Sequence, residues 1–190
     1  MAEFVQPGGR RGVPWRLIGW GGAVALLAAP FVAMQLNAEG VDWSPGDFIF
    51  AAALFGIVGG LLELAVRASS NASYRTGAAL ALLGAFLVTW VNLAVGIVGS
   101  EDNPANLLFF GALAIGIAGS VVTHGKPAGM STAMLATAAS LGIAFLIAVM
   151  NPTDEPFVPH SRELIGTSVF AGLFLASAAL FRRAAKFGRS

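Results

Sequence analysis

Few residues in this chain have side chains that could do chemistry. Asp42, Asp47, Glu101, Asp102, Asp154, Glu155 and Glu163 fall in connections that an alternating topology brings to one face, and His160 joins them. Oxygen-rich clusters of this kind suit Ca²⁺ or Mg²⁺. No D-x-D-x-D run and no paired histidines accompany them, so the spacing specifies no metal and no cofactor. Glu63 is the one ionisable residue well inside an apolar run, where a carboxylate is a functional candidate by default. It also precedes Arg67 at the favourable i,i+4 spacing, near a helix end, which predicts a structural ion pair. Asn92 and Gln35 are polar within apolar runs; hydrogen bonds between helices account for them.

The segment Glu101-Asp102-Asn103-Pro104-Ala105-Asn106 reads two ways. As a helix start, Asn103 is a favoured N-cap, Pro104 fits the first helical position, and the acids sit at the positive end of the helix dipole. As a site, its acids would act with those of the other connections. Ser44, Pro45 and Asp47 repeat the capping logic, as a capping box with Asp in the third helical position. Capping explains each polar residue of both segments.

Much chemistry is excluded. The chain has no cysteine, which removes disulfides, thiolate catalysis and cysteine metal sites. His124 and His160 are expected on opposite faces, which argues against a haem held by both. No G-x-S-x-G elbow, phosphate loop or H-E-x-x-H stands in the sequence. No catalytic, cofactor-binding or metal residue is therefore assigned, and no nucleic-acid partner is expected.

The elements that carry these residues follow from hydropathy. Of 190 residues, 56% are hydrophobic and 11% charged, against about 25% charged in a soluble domain. Apolar runs occupy 17–36, 48–67, 76–98, 104–123, 131–150 and 164–181. Each matches the ~20 residues that cross a bilayer, and lipid forces each to be a helix. An all-α, integral membrane bundle of six transmembrane helices, built of three hairpins in one domain, is expected. The leader 1–16 and the first run lack a cleavage signal, so an uncleaved first span is expected.

Orientation follows from charge. Arg10, Arg11, Arg16, Arg67, Arg75, Lys126, Arg182, Arg183, Lys186 and Arg189 share one side, ten of eleven basic residues, with Arg162 the exception. The positive-inside rule makes that side cytoplasmic and puts both termini there, including the tail 182–190. Trp15, Trp20 and Trp43 fit an interfacial belt. Pro30 is expected to kink the first helix. Small residues recur every four positions, as in Gly56/Gly60, Gly77/Ala81/Ala85, Ala112/Gly116/Ser120, Ala136/Ser140/Ala144 and Ser168/Gly172/Ala176. Such ridges let helices approach closely. The openings Ser44–Phe50 and Asn103–Phe109 match in type at an offset of 59, which suggests either hairpin duplication or shared capping chemistry.

The run from Trp90 through Gly99 into Ser100-Glu101-Asp102-Asn103-Pro104-Ala105-Asn106 resembles a family of small six-helix bacterial inner-membrane proteins of uncharacterised activity. The resemblance covers mainly 76–120. It implies a bacterial cytoplasmic-membrane location and carries no site residues. Three functions stay open. The leading one is a non-enzymatic component that packs against copies of itself or other membrane proteins within the lipid bilayer. The next is a small transporter, with Pro30, Gln35, Glu63 and Asn92 lining a route. The third is a membrane enzyme acting at the outer face through Asp42, Glu101, Asp102 and His160.

Overall fold

A computed structural model describes residues 15–150 and 160–187. Arg10, Arg11, Asp154, Glu155 and Arg189 lie outside the described residues. Among the described residues six helices follow in order: α1 (Trp15–Gln35), α2 (Pro45–Ala68), α3 (Ala72–Ala94), α4 (Asn106–Val122), α5 (Pro127–Met150) and α6 (His160–Phe187). Each is long and apolar enough to cross a membrane, α4 when its opening turn from Pro104 is included. The chain is thus an all-α, multi-pass membrane protein. Large apolar side chains such as Leu17, Ile57, Val122 and Ile165 are exposed, as lipid-facing residues must be where the solvent is hydrocarbon.

Two compact units divide the chain, Met1–Gly59 and Gly60–Ser190. In the first, α1 buries none of its residues and continues past Pro30 to Gln35. It ends in a Schellman motif. The Ala38 N–H donates to the Ala33 carbonyl at 3.0 Å and the Asn37 N–H to Met34 at 3.1 Å, with Asn37 left-handed at φ 54°. The capping box before α2 forms as expected. The Asp47 carboxylate accepts from the Ser44 N–H at 2.7 Å and the Ser44 hydroxyl at 2.8 Å, and the Asp47 N–H donates back to Ser44 Oγ at 3.3 Å. The Trp20 ring lies against Gly59, where an added Cβ would come within 2.9 Å of it.

The second unit holds the larger core. α6 packs between α5 and α3, and α5 packs between α6 and α4, while α3 and α4 meet over a smaller area. Thus α5 and α6 form a hairpin, but the main partner of α3 is α6 and not its neighbour α4. Phe109, Phe181, Leu141 and Val88 are fully buried at the centre. Hydrocarbon gives no hydrophobic drive for helix association, so close packing and interhelical hydrogen bonds must supply it. Both are present. The Ser177 hydroxyl donates to the Gly77 carbonyl at 2.7 Å, and the Ser131 hydroxyl to Ala178 at 2.9 Å. A Cβ on Gly77 would stand 3.3 Å from the Leu180 Cβ, and one on Gly119 would stand 2.7 Å from the Ala133 Cβ.

The small-residue ridges divide by burial. Gly77/Ala81 and Ala112/Gly116 are buried, whereas Ser168, Gly172 and Ala176 are all exposed, as is Ala136. Nothing approaches an added Cβ at Gly56, Gly60 or Gly172. On α6 the buried stripe is instead Thr167, Phe170, Phe174, Ser177, Ala178 and Phe181.

The polar ends of the unit are tied by side chains. Asn71 caps α3 by accepting the Tyr74 N–H at 3.2 Å, and the Tyr74 hydroxyl donates to the Gly125 carbonyl at 3.0 Å. α4 ends in a second Schellman motif, with the Gly125 N–H on Ser120 at 3.1 Å and the His124 N–H on Val121 at 2.9 Å. His124 occupies its left-handed position at φ 50°. That conformation costs an L-residue about 1–2 kcal/mol, part of which glycine repays to the unfolded chain. His124 is exposed, so His124→Gly is expected to stabilise the fold by about 0.5–1 kcal/mol. A thermal melt in detergent checks this; a lower midpoint would show that the imidazole contributes more than the backbone strain costs.

Candidate functional site

The third apolar run was expected to stay helical to 98, but α3 stops at Ala94. The cause is Asn106. Its Oδ1 accepts the N–H groups of Ile97 at 3.1 Å and Val98 at 3.0 Å. Its Nδ2 donates to the carbonyls of Val98 at 3.2 Å and Ser100 at 2.7 Å. One buried amide thus uses its full hydrogen-bonding capacity to hold 97–100 as a loop. Gly96, at φ 74°, makes the reversal that brings these groups to it. Asn92 adds a tie from the last turns of α3, its Nδ2 donating to the Asn106 carbonyl at 2.9 Å.

Asn103 caps differently from the expectation. The helix proper begins at Asn106, and Ala105, its N-cap, makes no side-chain bond. A tighter turn precedes it, with backbone bonds from Asn106 to Asn103 at 3.0 Å and from Leu107 to Pro104 at 3.2 Å. Asn103 Oδ1 accepts the Ala105 N–H at 2.9 Å, capping this 3₁₀-like turn. Pro104 removes a donor at the position where none is needed. The match between 44–50 and 103–109 is therefore one of residue type, reached through two different geometries.

Glu163 is what sequence reasoning missed. It was placed in the acidic connection preceding the sixth run, but α6 begins at His160 and Glu163 lies in its first turn, 4% exposed. Its Oε1 accepts the Gly99 N–H at 3.0 Å, and its Oε2 lies 2.9 Å from His160 Nδ1. The carboxylate fastens the 95–100 loop to α6 at the positive end of that helix. The spacing His160–Glu163, i,i+3 at a helix start, is the signal that was available. Beside this bond opens a cleft of about 330 Å³. Val91, Val95 and Ile97 wall it on the α3 side, and Gly166 and Phe170 on α6. Glu163 and Arg162 supply its charges.

The other expected residues are spread out. Asp42 and Asp47 belong to the first unit and are exposed. Glu101 and Asp102 are exposed on the turn before Asn103, while Asn103 itself is 4% exposed. His160 is brought to Glu163, its side chain half exposed. Glu63 pairs with Arg67 at 3.2 Å, the expected i,i+4 bridge, with Arg67 well exposed. Among the described residues no three His, Asp or Glu side chains stand close enough to hold a metal ion. The arrangement can present a carboxylate, a guanidinium and an apolar wall to a small molecule. Comparison with family models, curated proteins and solved structures finds no match to this chain.

Proposed function

We infer that this protein is a non-enzymatic, multi-pass component of a bacterial cytoplasmic membrane that works by packing against a partner, a second copy or another membrane protein. The observation that carries the reading is the ridge Ser168/Gly172/Ala176 on α6, whose three residues are exposed while Gly77/Ala81 of α3 and Ala112/Gly116 of α4 are buried. A ridge of small residues lets a helix backbone approach closely, and in lipid such approach drives association. The bacterial cytoplasmic-membrane location is what the resemblance read from the sequence over 76–120 implies. The orientation, with both termini cytoplasmic, is supported by the partition of basic residues.

The absence of cysteine makes the test clean. Gly172→Cys, introduced alone, is expected to give a cross-linked adduct in native membranes with a bifunctional thiol reagent. Ile117→Cys, exposed in the middle of a different helix, α4, should give less. Equal labelling of both positions with no adduct, together with saturable solute flux from liposomes, would establish a transporter instead. Orientation is checked separately. Alkaline phosphatase fused after Asn103 should be active and after Lys126 silent; the reverse pattern would overturn the topology.

A further inference from the structure

The cleft between α3 and α6 grades from charged to apolar along α6. Arg162 and Glu163 line it from the first turn of that helix. Phe170 lines it two turns further on, about 12 Å deeper at 1.5 Å per residue. On the other wall, Val95 stands at the C-cap of α3 and is 61% exposed, and Val91 lies one turn inward. The charged mouth is thus at the end of two bilayer-crossing helices, where headgroups lie, and the apolar part is level with acyl chains. Two observations set Arg162 apart. It is the exception to the partition that gathers the other ten basic residues at the opposite end. It is also exposed, and among the described residues it makes no hydrogen bond or ion pair. The neighbouring Glu163 carboxylate is committed within the protein, to the Gly99 N–H at 3.0 Å and to His160 Nδ1 at 2.9 Å. Gly166 leaves room on the α6 wall, since nothing lies within 4 Å of a Cβ added to it.

We propose that this cleft seats one anionic phospholipid, its phosphate on Arg162 and an acyl chain along Val91, Val95 and Phe170. A guanidinium fork donates two parallel N–H bonds to a phosphate, which a point charge cannot match. The acyl chain leaves one hydrocarbon surrounding for another and gains little on transfer. It fixes the molecule in place, and the charge selects it. A headgroup of net negative charge keeps that charge for Arg162, whereas choline carries its own cation beside the phosphate. Glu163 opposes part of the attraction, so the preference is modest. A free phosphate has nothing to lay against the apolar walls, and an uncharged lipid has nothing for the arginine. The residues are not those of the exposed α6 ridge, so the site fails or succeeds independently of partner packing.

The test uses the full chain in nanodiscs of equimolar phosphatidylglycerol and phosphatidylcholine with matched acyl chains. Lipid retained after extraction into mild detergent is read by native mass spectrometry. One phosphatidylglycerol per chain should depend on this site. Its retention should fall about fivefold in Arg162→Gln, the effect of one interfacial cation. Gly166→Leu, which puts a side chain into the cleft, should lower it as well, and Gly166→Ala should keep it. All three variants should melt in detergent at or above the parent midpoint, because Arg162 holds nothing among the described residues and a helical glycine is replaced in the others. Labelled glycerol 3-phosphate, titrated by equilibrium dialysis, should show no saturable binding. Retention unchanged by Arg162→Gln would put the lipid on the basic residues at the other end of the bundle. Retention unchanged by Gly166→Leu would put it on a helix surface outside the cleft. Saturable glycerol 3-phosphate binding that Arg162→Gln removes would make the cleft a solute site. Each of these three results would overturn the proposal.

Discussion

Asn106→Ala should be among the most destabilising single changes in the chain. The substitution removes four hydrogen bonds at once, two accepted from Ile97 and Val98 and two donated to Val98 and Ser100. Ile97 and Val98 are each 7% exposed, so their N–H groups lose a partner where water has little access. At about 1–3 kcal/mol for each unsatisfied buried donor, the loss is about 2–6 kcal/mol. Asn106→Asp keeps the acceptor and discards the donor, setting a carboxylate oxygen against the Ser100 carbonyl. It should fall no less far in the charged state. Thermal unfolding of the purified protein measures both, and limited proteolysis at 95–102 reports whether the loop opens first. A melting midpoint within a degree of the parent for Asn106→Ala would mean that the loop is held by something other than this amide.

Gly96→Ala is expected to approach that severity by a different route. Gly96 sits at φ 74°, where an L-residue costs about 1–2 kcal/mol. A Cβ there would also strike the Ser100 carbonyl and the Asn106 amide nitrogen. Overpacking of that kind adds about 1–3 kcal/mol. The backbone of 95–100 must shift to accept it, and the Asn106 bonds must stretch with it. The two substitutions share partners, so their effects should fall short of additive. A double variant no less stable than the worse single variant would demonstrate that coupling. Full additivity would show that the glycine and the amide act separately.

Spans, the Ser44–Asp47 capping box and the Glu63–Arg67 pair were legible because each is local. A bilayer fixes helix length, a cap is read within four residues, and an i,i+4 bridge lies on one helix face. The fourth helix shows where local reading stops. Asn103, Pro104 and Asn106 all look like opening-turn residues, yet Asn106 uses its side chain backwards, on a loop eight to nine residues earlier in sequence. Val95, Ile97 and Val98 are apolar enough to extend the third span, and hydropathy has no term for an amide that intercepts their backbone groups. Glu163 was hidden for a related reason. Its partner, the Gly99 N–H, lies 64 residues away, and nothing in the acidic character of its neighbourhood separates a buried carboxylate from a solvated one. The cleft depends on the α3–α6 register, which follows from side-chain interlock at Gly77 and Gly84 and not from periodicity.

The pairing of α3 with α6 sets a schedule for biogenesis. The Ser177 hydroxyl that meets the Gly77 carbonyl is encoded 100 residues downstream. At about 5–20 residues per second, translation delivers it about 5–20 s after Gly77. Through that interval α3 resides in the bilayer with its Gly77/Ala81 surface uncovered, while α4 and α5 are still being released. Assembly of the second unit therefore cannot finish helix by helix in order of synthesis. It closes only when the last helix inserts, and a chain stopped before α6 leaves the third helix without its principal neighbour.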